Sequence, residues 1–247
     1  MSTLAVILLS ILARQLCGQR TTQIFGNLTL GYYYVEAYVG TPPQLKSLIL
    51  DTGSRQTIFP CEGCQDCSFH MNGPFNQTNS SSFHYISQND TNFGWKCGNS
   101  NENDQCTFYA AYLEGSQYEG LMGLDRFLFK GEADLNTTVD KTHIFGCAKS
   151  ETGDFKLQTV DGIIGFGKSS MRHYFEAPTI IEAEFQQGKI ASKTFSICLG
   201  DNGGQLRLGD WNYDKHFNAT EPQDVECSAQ DWSDQYYIQV SGIKVCS

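Results

Sequence analysis

Apolar residues along the chain come mostly in short runs broken by Gly, Asn and Asp, which predicts strands joined by turns. Gly31 to Val39 is rich in aromatic and β-branched residues and stops at Gly40-Thr-Pro-Pro43, a strand followed by a turn. Leu45 to Leu50 is mostly apolar, which predicts a strand buried on both faces. Further strands are expected over Phe108 to Tyr112, Phe127 to Phe129, Thr142 to Phe145, Thr194 to Leu199, Gln205 to Leu208 and Tyr236 to Val245. One helix is predicted: Pro178 suits its first position, Ile181 and Phe185 share a face at i, i+4, and Gly188 can end it in a left-handed conformation. Residues 68 to 106 are rich in Asn, Ser and Gln, with cysteines inside and at their margins. They read as a surface insertion held down by disulfides, spanning 61–106 in all.

Composition narrows the class. The 247 residues are 40% hydrophobic and 18% charged, the balance of a packed core. Lys and Arg number 17 against 27 Asp and Glu, a net charge of −10. Such a chain has no electrostatic pull toward nucleic acid or anionic lipid, and neither partner is expected. Leu4 to Leu12 is apolar apart from Ser10, too short for a bilayer span but the length of a signal-peptide core, with small residues near Cys17 and Gly18 for cleavage. The expected order is a signal peptide over 1–18, a short leader over 19–30 and then the folded part of the chain. Glycosylation sequons stand at Asn27, Asn76, Asn79, Asn89, Asn136 and Asn218. Removal of Cys17 leaves Cys61, Cys64, Cys67, Cys97, Cys106, Cys147, Cys198, Cys227 and Cys246 as disulfide candidates. The odd number leaves one without a partner in this chain. The spacing Cys61-x2-Cys64-x2-Cys67, with His70 three residues on, also suits a metal, but a secreted route favours disulfides, and no metal or cofactor is expected.

The sharpest chemical element is Leu48-Ile-Leu-Asp51-Thr52-Gly53-Ser54. An apolar strand delivers a carboxylate to a glycine bend, where Thr52 and Ser54 have hydroxyls able to orient it. The same residues suit an ordinary Asx-turn. Their surroundings decide between the two readings. Tyr34 to Pro43, Asp51 to Ser54, Tyr112-Leu-Glu-Gly115-Ser116 followed by Gly120 and Asp125, Ile144-Phe-Gly146, Asp161-Gly-Ile-Ile-Gly-Phe-Gly167, Phe195 to Leu199 and Gly204 to Asp210 stand in order. Together they resemble the pepsin-like aspartic proteases over nearly all of residues 31 to 245. The cysteine-rich insertion is most similar to the membrane-associated or endoplasmic-reticulum members.

The resemblance implies an all-β, bilobal acid-protease fold, with one complete first lobe over 31–200 and the start of a truncated second over 201–247. It implies that Asp51 is half of a catalytic pair, that Thr52, Gly53 and Ser54 form its loop, and that Tyr112, Gly115 and Ser116 belong to a flap that closes over a polypeptide substrate. It makes Ile163-Ile164-Gly165 structural. Ile58 departs from the pattern, standing where many relatives carry a tryptophan that bonds the flap tyrosine. A second Asp-Thr/Ser-Gly is absent from the sequence, and its expected place lies a little past Ser247. Three functions are therefore open: an endopeptidase whose natural chain continues, a catalytically inactive binding module, and a symmetric dimer sharing Asp51. The first is favoured, as a monomer in the secretory pathway. The destination is secretion, the lysosome or vacuole, or the endoplasmic reticulum lumen, with any membrane anchor confined to a missing C-terminus.

Overall fold

The computed structural model describes residues 20–90, 97–131, 142–168, 177–209 and 235–236. Residues 1–18, Cys17, Asn136, Asn218, Cys227, Cys246, the strand candidate beyond Tyr236 and most of 201–247 lie outside them. Eleven strands are described: β1 (Arg20–Asn27), β2 (Tyr32–Val39), β3 (Gln44–Asp51), β4 (Thr57–Pro60), β5 (His84–Tyr85), β6 (Thr107–Ala111), β7 (Gln117–Phe129), β8 (Thr142–Glu151), β9 (Gly162–Gly165), β10 (Phe195–Gly200) and β11 (Gly203–Leu208). One α-helix, α1 (Ile180–Gln186), packs beside them.

The architecture is all-β, in one connected sheet of order β10-β11-β1-β2-β3-β9-β4-β8-β7-β5, with β6 on β7. A further pairing of Ala37–Val39 with Phe127–Phe129 brings β2 back to β7. The strands β2, β3, β9, β4, β8 and β7 therefore form a closed ring, which removes most exposed edges. Within it β3 runs parallel to β9, and β4 parallel to β8.

Alternation along β2 explains its place: Val35, Ala37 and Val39 are buried, while Glu36 and Tyr38 are partly exposed. Consecutive residues of β4 serve two cores. Phe59 joins Phe75, Phe127, Phe129 and Phe145 in one; Ile58 joins Phe108, Tyr118, Met122 and Phe155 in the other. Phe59 stacks on Phe145 with ring centroids 4.5 Å apart, and Phe75 meets both edge-on.

Several expectations change in the folded chain. Arg20–Asn27, read as leader, is a strand held between β2 and β11. The expected lobe boundary after residue 200 falls at the turn of the β10–β11 hairpin, where Gly200 pairs Gly203. β3 is not uniformly apolar inside, because Lys46 is buried with its Nζ donating to the Gly73 carbonyl at 2.7 Å. The insertion is not confined to the surface: Phe75 is fully buried, and burying a phenylalanine contributes about 2–3 kcal/mol. Helix α1 starts two residues later than expected, at Ile180 rather than Pro178. Thr179 is its N-cap and forms a capping box with Glu182, and Pro178 precedes the cap. Gly188 follows the C-cap at φ +67°, as expected of a left-handed stop. Ile180, Ile181 and Ala183 face the core, whereas Phe185 is 40% exposed.

Candidate active site

Asp51 ends β3, in register with Gly165 of parallel β9. The loop that follows wraps around the end of β9. Phe166 N–H donates to the Asp51 carbonyl at 2.6 Å, Gly165 N–H to Gln56 at 2.9 Å and Gly167 N–H to Ser54 at 2.7 Å. This approach requires glycine: a Cβ on Gly165 would lie 2.4 Å from the Arg55 carbonyl carbon and 2.6 Å from Gln56 N. Ile163-Ile164-Gly165 is thus the wall against which the aspartate loop is built.

The Asp51 carboxylate is oriented by the backbone. Gly53 N–H donates to Oδ1 at 2.8 Å. The hydroxyls expected to do this do otherwise: Thr52 is exposed, and Ser54 Oγ is buried with no completed hydrogen bond. Arg55 is buried beside them, with its guanidinium 3.5 Å from Glu182 of α1, which ties the loop to the helix.

Over this loop stands the hairpin of β6 and β7. Its turn is closed by Tyr112 N–H to the Ser116 carbonyl and Gly115 N–H to the Tyr112 carbonyl, both at 2.9 Å. Gly115 has φ +97°, a conformation that favours glycine. Leu113 at the tip is fully exposed. Asp51, Gly53, Ser54 and Gln56 below, with Tyr109 to Glu114 above and Gln235 at one side, enclose a cleft of about 490 Å³. A larger groove of about 740 Å³ lies outside the hairpin, on Thr107, Tyr109, Glu119, Leu121 and Lys149; it does not contain Asp51. The smaller cleft is the candidate site, because a carboxylate, a phenol and the hairpin converge there.

Tyr112 points its phenol down to Ser54. Burial pushes its pKa well up, the Ser54 hydroxyl opposes this, and the charges of Asp51 and Glu114 add to the rise. The phenol is therefore neutral. The two hydroxyls are neighbours, but neither completes an aligned hydrogen bond. Ile58 lies fully buried in the core against which Tyr112 packs, so the wall behind the phenol is apolar. Phe155 supports Tyr112 edge-on at 5.0 Å. Of the expected flap residues, Tyr112 lines the cleft. Gly115 shapes the turn, and the Ser116 side chain is buried beneath it, accepting Asp154 N–H at 2.9 Å. Gln56, Tyr109, Ala110, Ala111, Leu113 and Glu114 also line the cleft and were not singled out by sequence. Their shared feature is proximity in sequence to Asp51 or Tyr112.

The cysteine triplet is oxidised. Cys61 bonds Cys147, Cys64 bonds Cys67, and Cys97 bonds Cys106; Cys198 is a free thiol. Such pairing fits the secretory pathway. Among the described residues no group of three or more His, Cys, Asp or Glu side chains could hold a metal ion. No described helix is long and apolar enough to cross a membrane. Of the sequons described, Asn27 and Asn76 accept local backbone N–H groups through their side chains, and Asn89 donates to Asp104.

A β-lobe that offers a carboxylate from a strand-end Asp-Thr-Gly loop, beneath a tyrosine-bearing hairpin, defines the class of pepsin-type first lobes. A family model described as xylanase inhibitor N-terminal matches residues 33–210. Plasmepsin V of Plasmodium falciparum (isolate 3D7) is 30% identical over 223 residues, covering 88% of this chain and 36% of that protein. Aspartic protease 5 of Toxoplasma gondii is 29% identical over 203 residues, covering 76% of this chain and 20% of that protein. Pepsin B of Canis lupus familiaris is 27% identical over 191 residues, covering 75% of this chain and 42% of its own. The chain thus spans well under half the length of each of these relatives. It belongs to the pepsin-like aspartic protease family, and the matched residues are those of the family's N-terminal lobe.

Proposed function

We propose that this chain supplies Asp51 to the catalytic pair of an aspartic-type endopeptidase acting on polypeptides in the secretory pathway. The observation that carries the reading is the position of Asp51: at the floor of the cleft, oriented by Gly53 N–H, under the Tyr112 hairpin. The partner aspartate comes, on this proposal, from the part of the relatives' length that these residues do not span. Two close carboxylates share one proton, because both cannot ionise easily. One takes a proton from water as the water attacks the scissile carbonyl, and the other donates a hydrogen bond to the carbonyl oxygen. Tyr112 and the hairpin close over the substrate and exclude water.

The test is peptide cleavage by the protein expressed from its full transcript, with pepstatin as inhibitor. Asp51→Ala is expected to lower kcat/KM about a hundredfold to ten-thousandfold, the range for loss of a general acid or base. Unchanged cleavage by this variant would sink the proposal. The second reading, an inactive binding module, is favoured by one observation: the matching family model carries the name of an inhibitor. It predicts no pepstatin-sensitive cleavage by the full protein and a cleft that still binds a polypeptide partner.

A further inference from the structure

His70 has no part in the site described above, yet it is 3% exposed and fully engaged. Its Nε2 lies 3.0 Å from both Oε1 and Oε2 of Glu151, which is itself fully buried at the end of β8. Its Nδ1 lies 3.0 Å from the Gln158 carbonyl oxygen. Ser68 N–H also donates to Glu151 Oε1, at 2.6 Å. Both partners of the ring are acceptors. A neutral imidazole has one N–H and satisfies one of them; the imidazolium satisfies both. It also supplies the cation that a buried carboxylate needs.

The two contacts fall at opposite ends of one short segment. Between Glu151 and Gln158 lies the 3-10 turn Gly153–Leu157. Its Phe155 stacks on Tyr118 at 4.0 Å and meets Tyr112 edge-on at 5.0 Å. Thr152 N–H bonds the Gln117 carbonyl and Asp154 N–H bonds Ser116 Oγ, each at 2.9 Å. The segment is thus the bed on which the base of the hairpin rests, and His70 fastens it at both ends.

We infer that protonated His70 is a positioning residue for the flap: it clamps the ends of segment 151–158 and, through Phe155, sets where Tyr112 stands over Asp51. The functional meaning of that placement rests on the peptidase reading. The clamp responds to pH. The charged and titratable groups around it are Glu151 from β8, Asp161 ahead of β9, Tyr118 from β7 and Lys46 from β3 behind Asp161, with the Asp66–Lys156 ion pair at the surface. Burial opposes the imidazolium. The bond and charge of Glu151, the Gln158 carbonyl and Asp161 outweigh it, and the His70 pKa is raised. The clamp is complete below the ordinary histidine pKa and is lost as pH rises through the raised value.

Hydrogen exchange of the full protein tests this from about pH 5 to about pH 9, beside an NMR titration of the His70 ring. Protection is corrected for the intrinsic exchange rate and read over residues 109–118, with β2 as control. Flap protection is expected to fall roughly tenfold or more as His70 deprotonates, with β2 unchanged. His70→Gln, which has no cation to set against Glu151 and no proton to lose, is expected to give flap protection that is low and independent of pH. Flap protection that stays flat through the titration of the wild-type ring overturns the inference, as does an equal loss in β2. Neither arm needs peptide cleavage, so an inactive protein would refute the peptidase reading and leave this measurement decisive.

Discussion

The Tyr112 hydroxyl is buried without a completed hydrogen bond, and its neighbour Ser54 Oγ is in the same condition. A buried hydroxyl without a partner costs about 1–3 kcal/mol of desolvation. Removing it should relieve that cost, since the ring's packing on Phe155 is unaffected. Tyr112→Phe is therefore expected to leave the lobe as stable or up to about 1 kcal/mol more stable, measured by urea unfolding. Destabilisation beyond about 1 kcal/mol would show that the phenol makes a bond in solution. Peptidase activity should fall in the same variant if the hydroxyl has a role in closure, so stability and activity would separate. The position of the phenol was legible, because Tyr112 precedes Gly115-Ser116. What orients Asp51 was not. Sequence offered two hydroxyls, whereas the folded loop uses the Gly53 N–H, a group every non-proline residue carries.

At the level of elements, the two disulfides of the cysteine triplet differ in what they constrain. Cys61–Cys147 closes 86 residues and joins the end of β4 to β8, while Cys64–Cys67 closes three. Loop-closure entropy assigns about 4–5 kcal/mol to the first and about 1–2 kcal/mol to the second. Replacing Cys61 and Cys147 by serine is expected to lower Tm far more than the same change at Cys64 and Cys67. Equal losses would place the stabilisation in native packing rather than in loop closure. The elements themselves were unevenly legible. β2 and β3 show their character locally, through aromatic and apolar runs. β9 is Gly-Ile-Ile-Gly, whose glycines weaken any strand signal and whose reason, the crossing of the aspartate loop, is tertiary. β1 has no strong run of its own and is held by partners on both sides. The i, i+4 spacing of Ile181 and Phe185 located a helix but not the stripe facing the core, which runs through Ile180, Ile181 and Ala183. Glu151 stands 81 residues from His70, so nothing local joined them.

Among the described residues of the molecule, two histidines are buried, with opposite preferences. His143 lies beneath β4 with Nε2 2.8 Å from Thr57 Oγ1 and its ring against Phe127, and burial lowers its pKa to about 3. The folded lobe keeps it neutral, while the unfolded chain protonates it near pH 6.5. Its contribution is present above about pH 6.5 and is lost as pH falls toward 3, on the order of 5 kcal/mol in all. His70 has the reverse sign: its raised pKa gives stability below about pH 6.5 that is lost as pH rises through the shifted value. The two together predict a stability maximum near neutral pH. Thermal unfolding across pH should show a bell, with His143→Gln flattening the acid limb and His70→Gln the alkaline one. A Tm constant from about pH 6.5 to about pH 4 would remove His143 from the account. An acid limb of the predicted size would weigh against an acidic lysosomal or vacuolar setting, because the lobe would lose there a large share of the 5–15 kcal/mol typical of a domain. A near-neutral lumen would preserve both histidines in the state the fold requires, with the clamp under the flap and the wall behind it intact at the same pH.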